Sequence, residues 1–230
     1  MQMSTRRASE RGGANHGWLN TKHSFSFARY YDPRFMGFGP LRVINQDRVA
    51  PGRGFGTHAH RNMEIISYVV AGSLAHRDTI GTDGIIVPGE VQLMSAGSGI
   101  SHSEMNASRE AEVHFLQIWV TPSALDTPPR YDQRAFSRDE RGLRLVVSPD
   151  GRDGSLTIGQ DADLHRLLLR SGESAEHHAL RHRVWVQVVH GQLAVNGTRL
   201  QPGDGLAITA ASALRFEAHA DTEALVFDMI

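Results

Sequence analysis

Two pairs of side chains in the first half of the sequence have the types and spacing of metal ligands. His58 and His60 stand two residues apart in GRGFGTHAHRNME, and His102 and Glu104 stand two residues apart in SGISHSEMN. In a β-strand, residues i and i+2 project from the same face about 7 Å apart, so each pair can converge on one ion. Two such pairs on adjacent antiparallel strands would surround a point with three imidazole nitrogens and one carboxylate oxygen.

This set of donors favours a divalent first-row transition metal over calcium or magnesium, which prefer oxygen ligands. Coordination positions left to water or substrate would make such a site catalytic. Glu64 lies an even number of residues beyond His60, so strand parity alone does not choose between Glu64 and Glu104 as the acidic ligand. Histidines also cluster by accident, but two same-face pairs, each beside a glycine-rich corner, favour a metal site.

The second half of the chain lacks an equivalent ligand pattern. The tract EHHALRH, residues 176–182, is its strongest histidine cluster. However, Phe216 stands at the offset from Gly203 that His102 has from Gly89. We therefore predict no metal in this half, and a structural role for the remaining histidines.

Short apolar runs separated by turn residues must position these side chains. The sequence has 23 Gly and 9 Pro, and no long helical periodicity. Many short strands at this spacing predict β-sandwiches or barrels. Pro122, Pro128 and Pro129 predict an exposed connection over residues 121–136. The predicted strands are residues 24–28, 41–44, 64–70, 91–94, 113–120, 143–147, 164–169, 184–189, 193–195, 206–208 and 224–227.

The two halves also repeat one another weakly. YVVAGSLAH (68–76) resembles VVHGQLAVN (188–196), and IIVPGEVQLM (85–94) resembles RLQPGDGLAI (199–208). This pattern predicts a duplicated unit: a strand, a turn at Gly72 or Gly191, a returning strand, and a Pro-Gly corner into another strand. The hairpin around residues 79–84 makes the first copy longer.

These motifs resemble those of a known superfamily and of one family within it. Gly52-x5-His58-x-His60-x3-Glu64-x7-Gly72 resembles the first cupin motif. Gly89-x12-His102-x3-Asn106 resembles the second, with Ser95-Ala96-Gly97 where many cupins have Pro-x-Gly. Three longer segments are similar to the pirin family, and to its bacterial members assigned as quercetinases: residues 10–47, 57–78 and 94–106.

The resemblance implies an all-β bicupin, that is, two jelly-roll-like β-barrel domains packed together. We expect an N-terminal cupin domain with the metal at 1–133 and a degenerate domain without metal at 134–230. By position, the family's ligands are His58, His60, His102 and Glu104. Glu64 is not usually a ligand in pirins, so it is expected behind the ligands, where it could orient a histidine N–H or accept a proton.

The bacterial relatives imply a quercetin 2,3-dioxygenase, which opens the flavonol ring with O2 and releases carbon monoxide. The flavonol 3-hydroxyl would take an open metal position, and a carboxylate, Glu104 first and Glu64 second, would accept its proton. Fe(II) is the first choice of metal, with Ni, Co, Mn, Cu or Zn as alternatives. Apolar neighbours of the substrate would include Phe55, Met36, Phe38 and Trp119, although core packing is the favoured interpretation of each.

A second hypothesis treats the chain as a metal- or redox-responsive regulator that binds another protein without turnover, as animal pirins are thought to do. The two hypotheses differ in whether the metal-loaded protein consumes O2. Sequence composition does not separate them.

Composition excludes several other classes of function. The chain has 24 Lys+Arg against 25 Asp+Glu in 230 residues, so it offers no basic field for nucleic acid or anionic lipid. Without cysteine it has no disulfide, thiolate nucleophile or iron–sulfur cluster. No signal peptide or membrane-spanning run is visible, and we expect a cytoplasmic monomer acting on a small molecule.

Overall fold

Antiparallel β-strands make up nearly all of the regular structure in the computed structural model, which describes residues 1–230. The strands are numbered along the chain, and two single-turn 3-10 helices lie at Ala8–Glu10 and Arg152–Gly154. The chain divides into two compact units. The first unit comprises Gly12–Phe136 with Ile158–Gln160, and the second comprises Met1–Arg11, Ser137–Thr157 and Asp161–Ile230.

The first unit contains a seven-stranded sheet in the order β12-β9-β6-β11-β4-β3-β2 and a four-stranded sheet in the order β5-β10-β7-β8. Its strands are β2 (Gly12–Asn15), β3 (Leu19–His23), β4 (Leu41–Val49), β5 (Gly54–His60), β6 (Glu64–Ala71), β7 (Leu74–Asp78), β8 (Asp83–Ile86), β9 (Glu90–Ser95), β10 (Ile100–Asn106), β11 (Val113–Val120) and β12 (Arg130–Ala135).

The second unit repeats this architecture, with sheets in the orders β1-β20-β17-β22-β15-β13-β14 and β16-β21-β18-β19. Its strands are β1 (Gln2–Arg6), β13 (Gly142–Ser148), β14 (Leu156–Thr157), β15 (Ala162–Leu169), β16 (Ser174–His178), β17 (Arg183–His190), β18 (Leu193–Val195), β19 (Thr198–Leu200), β20 (Gly205–Thr209), β21 (Ala213–Ala218) and β22 (Thr222–Met229).

The predicted duplication is present strand by strand. Gly72 ends β6 before β7, and Gly191 ends β17 before β18, each with a positive φ, 78° and 84°. A Cβ on Gly72 would also come within 2.7 Å of the Glu112 carbonyl oxygen, so the turn requires glycine. The Pro-Gly corners lead into β9 and β20, which hold equivalent places in the two large sheets.

The domain boundary at 133/134 stays a prediction. The predicted boundary does not account for the N-terminal segment, which the structure places in the second unit. Residues 1–11 belong to the second unit, because β1 pairs with β20 along its whole length, from Gln2 opposite Thr209 to Arg6 opposite Gly205. The N-terminal segment and the C-terminal barrel therefore form one sheet.

Two local predictions were wrong. Residues 24–28 form no strand, because the Ser26 hydroxyl and amide bond to Asp32 and Phe35 and close a loop. The alternating burial belongs instead to β3, just before this loop. The segment 121–136 is not a connection throughout, since β12 pairs with β9 along its length. All three prolines precede β12, so they do not interrupt its hydrogen bonds.

Apolar side chains fill the interior of each unit. In the second unit one cluster takes in fifteen buried residues, including Phe216, which is fully buried. In the first unit one cluster includes Leu19, Val49 and Phe115, and another includes Ile65 and Ile100. No helix in the chain is long and apolar enough to cross a membrane.

Candidate metal centre

The pairing of β5 with β10 brings the two predicted ligand pairs onto adjacent antiparallel strands. His58 lies opposite His102, and His60 lies opposite Ile100. The register then shifts, so that Glu104 lies opposite Phe55, and β5 carries one extra residue over this stretch. Burial alternates along β10, which places the side chains of His102 and Glu104 on its inward face.

Three histidines form a compact group at this point. The ligand nitrogens of His58, His60 and His102 all lie within 4.8 Å of one another. Their ring centroids are 4.5 Å apart for His58 and His102, 4.8 Å for His58 and His60, and 4.9 Å for His60 and His102. Because imidazole nitrogens bind transition metals at about 2.0–2.1 Å, small side-chain rotations suffice to enclose one ion.

The hydrogen bonds of His58 and His102 leave the Nε2 atom of each ring available to bind a metal. His102 Nε2 is buried and has no hydrogen-bond partner. His58 Nδ1 lies 2.8 Å from the carbonyl oxygen of Gly56, so Nδ1–H donates and Nε2 keeps its lone pair. A buried, unpartnered acceptor nitrogen is costly in an apolar interior and is what a metal ligand requires. The cluster therefore fits a divalent metal ion.

The electrostatics of the group favour neutral rings. Burial, together with the charge of His58, lowers the pKa of His60 to about 4. Burial and the neighbouring histidines His58, His60 and His76 lower the pKa of His102 to about 3. Both rings are thus unprotonated at neutral pH, which is the form that binds a metal.

A histidine and an aspartate behind His102 were missed from the sequence. His76 Nδ1 lies 3.4 Å from His102 Nδ1, and His76 Nε2 lies 2.9 Å from Asp78 Oδ2. Since Asp78 accepts from Nε2–H, His76 Nδ1 is left to accept from His102 Nδ1–H, which directs the His102 Nε2 lone pair outward. The sequence signal was the i, i+2 spacing of His76 and Asp78 on β7.

Asp78 is suited to hold this histidine. Burial acts to raise the pKa of Asp78, but the hydrogen bonds from His76 and from the backbone amides of Thr82 and Ile80 outweigh it and lower the pKa below its usual value. The carboxylate therefore stays ionised and keeps its hydrogen bond to His76.

Glu104 lies beside the three histidines but outside the group defined by the 4.8 Å separation. Its side chain is buried, with Oε1 3.0 Å from the Ser67 hydroxyl and Oε2 2.5 Å from Gln117 Nε2. Burial, with a smaller contribution from the nearby Asp47, raises the pKa of Glu104 to about 7. Each oxygen keeps a further lone pair for a metal or a proton.

Glu64 lies elsewhere, because the chain leaves the small sheet at His60 and enters the large sheet at Glu64. Glu64 therefore does not continue the strand that carries His58 and His60. Its carboxylate accepts a 2.7 Å hydrogen bond from Ser95 and lines a separate cavity that includes Arg130 and Gly159. Burial raises the pKa of Glu64, against the hydrogen bonds from Ser95 and Gly159 and the charge of Arg130. Its observed hydrogen-bond partners include no histidine.

A cavity of about 750 Å³ opens beside the histidines and is lined by both His58 and Glu104. Trp119 lies against the site, its ring 5.0 Å from that of His60. Of the four apolar neighbours considered from the sequence, Phe55 and Trp119 line the cavity, whereas Met36 and Phe38 do not. The other aromatic or aliphatic lining residues include Leu19, Phe27 and Tyr30.

Matches to known families and relatives agree with this arrangement. The Pirin family matches residues 3–120, and the quercetinase C-terminal cupin domain matches residues 145–229. The chain belongs to the pirin family. It is therefore a bicupin, with the histidine cluster in the cupin unit that contains β5 and β10.

Similar pirin-family proteins come from Escherichia coli. The chain is 49% identical over 225 residues to quercetin 2,3-dioxygenase of strain K12, covering 97% of each chain. It is 48% identical to the crystal structure of the bacterial pirin YhhW in complex with nickel(II), with a TM-score of 0.95 and 99% of each chain covered. Another crystal structure of YhhW gives a TM-score of 0.97, with 100% of this chain and 98% of that chain covered.

Proposed function

We propose that this pirin-family protein is a metal-dependent dioxygenase that opens the ring of quercetin-like flavonols with O2 and releases carbon monoxide. The observation that carries the proposal is the cavity of about 750 Å³ lined by both His58 and Glu104. This cavity has the size that small-molecule sites typically have, and it lies beside a histidine cluster that fits a divalent metal. The 49% identity to the E. coli quercetin 2,3-dioxygenase supports the reaction.

We infer that His58, His60 and His102 hold the ion and that Glu104 supplies the fourth ligand. Fe(II) is our first choice, because imidazole and carboxylate suit it, and the nickel(II) complex of YhhW supports nickel as an alternative. When bound, such an ion supplies Lewis acidity that lowers the pKa of a coordinated hydroxyl group.

The protein's own residues supply the remaining chemistry. Glu104 is our first choice to take the proton of the flavonol hydroxyl, because its buried carboxyl group lines the cavity beside the histidines. Ser67 and Gln117 fix both carboxylate oxygens and so hold the base in place. Phe27, Phe55 and Trp119 form apolar cavity walls, which suit an aromatic substrate and keep water out.

An oxygen-uptake assay tests the proposal. Protein reconstituted anaerobically with Fe(II) or Ni(II) is mixed with quercetin, and O2 consumption, loss of the near-ultraviolet absorption of quercetin and released carbon monoxide are recorded. We expect all three signals, and we expect His58→Ala to abolish them. His219→Ala, which alters an exposed histidine in the second unit, is the matched control and should retain activity. A folded, metal-loaded protein without turnover would overturn the proposal and favour the regulatory hypothesis.

A further inference from the structure

Four polar side chains form one wall of the cavity beside the histidines. Thr21 and His23 lie on β3, and Asn45 and Asp47 lie on β4, where Thr21 is opposite Asp47 and His23 is opposite Asn45. All four are buried, and all line the cavity that also includes His58 and Glu104. Polar side chains buried in such a strip need hydrogen-bond partners.

Most of this strip is satisfied internally. His23 Nδ1 lies 2.8 Å from Asn45 Oδ1, so the ring donates to the amide oxygen. The Thr21 hydroxyl hydrogen-bonds to the Asp47 carboxylate. However, Asp47 Oδ1 is buried and has no hydrogen-bond partner, although Asp47 is only 4% exposed. This oxygen is therefore an unused acceptor in the wall of the cavity.

The surroundings of Asp47 indicate which kind of ligand could donate a hydrogen bond to its unpartnered Oδ1. A second buried carboxyl, Glu104, lines the same cavity and lies close enough for the charges of the two groups to interact. A ligand carboxylate or phosphate would therefore be repelled, whereas a neutral ligand with an O–H donor would be attracted. The aromatic side chains Phe27, Tyr30 and Trp119 line the same space and favour an aromatic ligand.

We propose that Asp47 is a specificity-determining residue, whose Oδ1 accepts a hydrogen bond from a phenolic hydroxyl of the substrate other than the hydroxyl that reacts. This inference rests on the proposed flavonol function and narrows the substrates to flavonols that carry a second phenolic hydroxyl placed to reach Asp47. A site built to accept a hydroxyl discriminates strongly against analogues that lack it, because the buried acceptor is then left unpaired.

The state of Asp47 without ligand agrees with this role. Burial raises the pKa of Asp47 to about 7, against the hydrogen bond from Thr21. Near neutral pH the carboxyl group of Asp47 is therefore partly protonated and partly ionised. Its ionised form can accept a hydrogen bond from a ligand hydroxyl. A neutral phenol can supply that hydrogen bond without bringing a charge into the cavity.

The test is a thermodynamic cycle between ligand hydroxyls and Asp47. Nickel-loaded protein is titrated without oxygen with quercetin and with analogues that each lack one ring hydroxyl, and dissociation constants are read from quenching of tryptophan fluorescence. In the wild type, removing one particular phenolic hydroxyl should weaken binding by about 10–100-fold, because hydrogen bonds to charged groups are strong. In Asp47→Ala the two ligands should bind with nearly equal affinity.

Two further variants serve as controls, one for folding and one for the specificity of the effect. Asp47→Asn keeps the shape and should fold even where Asp47→Ala does not, and it should retain only part of the preference because the acceptor is neutral. His219→Ala, at an exposed position in the second unit, leaves Asp47 and its surroundings intact and should keep the full hydroxyl preference. Metal content and thermal midpoint are measured for each protein.

The outcomes separate this inference from the proposed function. If quercetin binds but no hydroxyl preference depends on Asp47, the inference is overturned and the proposed function stands. Binding with the predicted preference but without O2 uptake would support the role of Asp47 and overturn the dioxygenase activity. If the wild type binds no flavonol, both are overturned.

Discussion

The two cupin units have the same strand order but different chemistry at equivalent positions. In the first unit His58 lies opposite His102. In the second unit Ala175 lies opposite Phe216 at the equivalent place, because Phe216 follows Gly203 by the same interval as His102 follows Gly89. Phe216 is fully buried and belongs to the apolar cluster of its unit. One duplicated scaffold thus carries a histidine cluster in one copy and ordinary core packing at the equivalent position in the other.

One histidine of the second unit lies at a position equivalent to a predicted ligand of the first unit. His177 lies two residues beyond Ala175, at the position that His60 holds relative to His58. Its Nε2 is 3.1 Å from Asp228 Oδ2, and Asp228 also accepts hydrogen bonds from the backbone amides of Leu180 and Arg181. The ring is thus engaged in holding a loop. The same strand pairing thus accommodates an apolar residue at one equivalent position and a histidine held by an aspartate at another.

The largest expected effect comes from converting the first unit to the pattern of the second. His102→Phe introduces the residue found at the equivalent position and removes the buried Nε2. We expect loss of bound metal and of flavonol turnover, with activity at the background of the assay. Elemental analysis and oxygen uptake measure the two quantities. His177→Ala in the second unit is the matched control, and a fall in its metal content would contradict the contrast between the units.

The next effect concerns the two buried glutamates of the first unit. Glu104→Gln keeps the shape but removes both the base and the anionic fourth ligand, so we expect kcat to fall by at least about 10²–10⁴-fold. Glu64→Gln should leave kcat within a few-fold of the wild type, because Glu64 bonds to Ser95 and lines a different cavity. Steady-state oxygen uptake, with metal content measured on the same samples, decides the point. Equal losses in both variants would contradict the assignment.

A smaller effect is expected from the residues behind His102. Asp78→Asn removes the carboxylate that orients His76, and partners of this kind typically account for 10–100-fold in metal affinity. We expect the dissociation constant for Ni(II) to rise by about 10-fold in a competition titration with a chelator. Asp83→Asn, an exposed aspartate paired with Arg77 on the neighbouring strand, serves as control. An unchanged affinity in Asp78→Asn would exclude the orienting role.

The smallest effect is on stability and depends on pH. The pKa of Asp47 is raised from 3.8 to about 7 on folding, so between these values the folded state binds a proton that the unfolded state lacks. The free energy of unfolding therefore falls as pH rises from 4 to 7. Asp47→Asn should remove this loss and stabilise the metal-free protein at pH 7 by at least about 1 kcal/mol, since one pKa unit corresponds to about 1.4 kcal/mol.

Urea unfolding at pH 4.5 and pH 7.5 measures this difference. The gain should be larger at the higher pH. Asp126→Asn is the control, because the hydrogen bond from Arg61 lowers the pKa of exposed Asp126 and no gain is expected there. A stabilisation by Asp47→Asn that is equal at both pH values would contradict the raised pKa of Asp47.

The sequence predicted the structural features that depend on residues close to one another in the chain. The i, i+2 pairs on β5 and β10, the glycine turns at Gly72 and Gly191 and the Pro-Gly corners are local patterns, and the structure shows each of them. The strand at 113–120 was predicted with both of its ends.

What the sequence did not predict depends on contacts between distant residues. Strand parity could not separate Glu64 from Glu104, because it gives no sign that the chain changes sheets between His60 and Glu64. Asp47 stands in a strand with mixed polar and apolar residues, and only the pairing of β3 with β4 shows that it is buried and faces the cavity. The pairing of β1 with β20 likewise joins residues about two hundred positions apart.

The most direct test of the account is a crystal structure of metal-loaded protein with an anomalous difference map at the absorption edge of the metal. We expect a single peak per chain, with ring nitrogens of His58, His60 and His102 and a carboxylate oxygen of Glu104 at about 2.0–2.2 Å, and an open side facing the cavity. A peak in the unit that holds His177, or a first unit without any peak after metal loading, would contradict it.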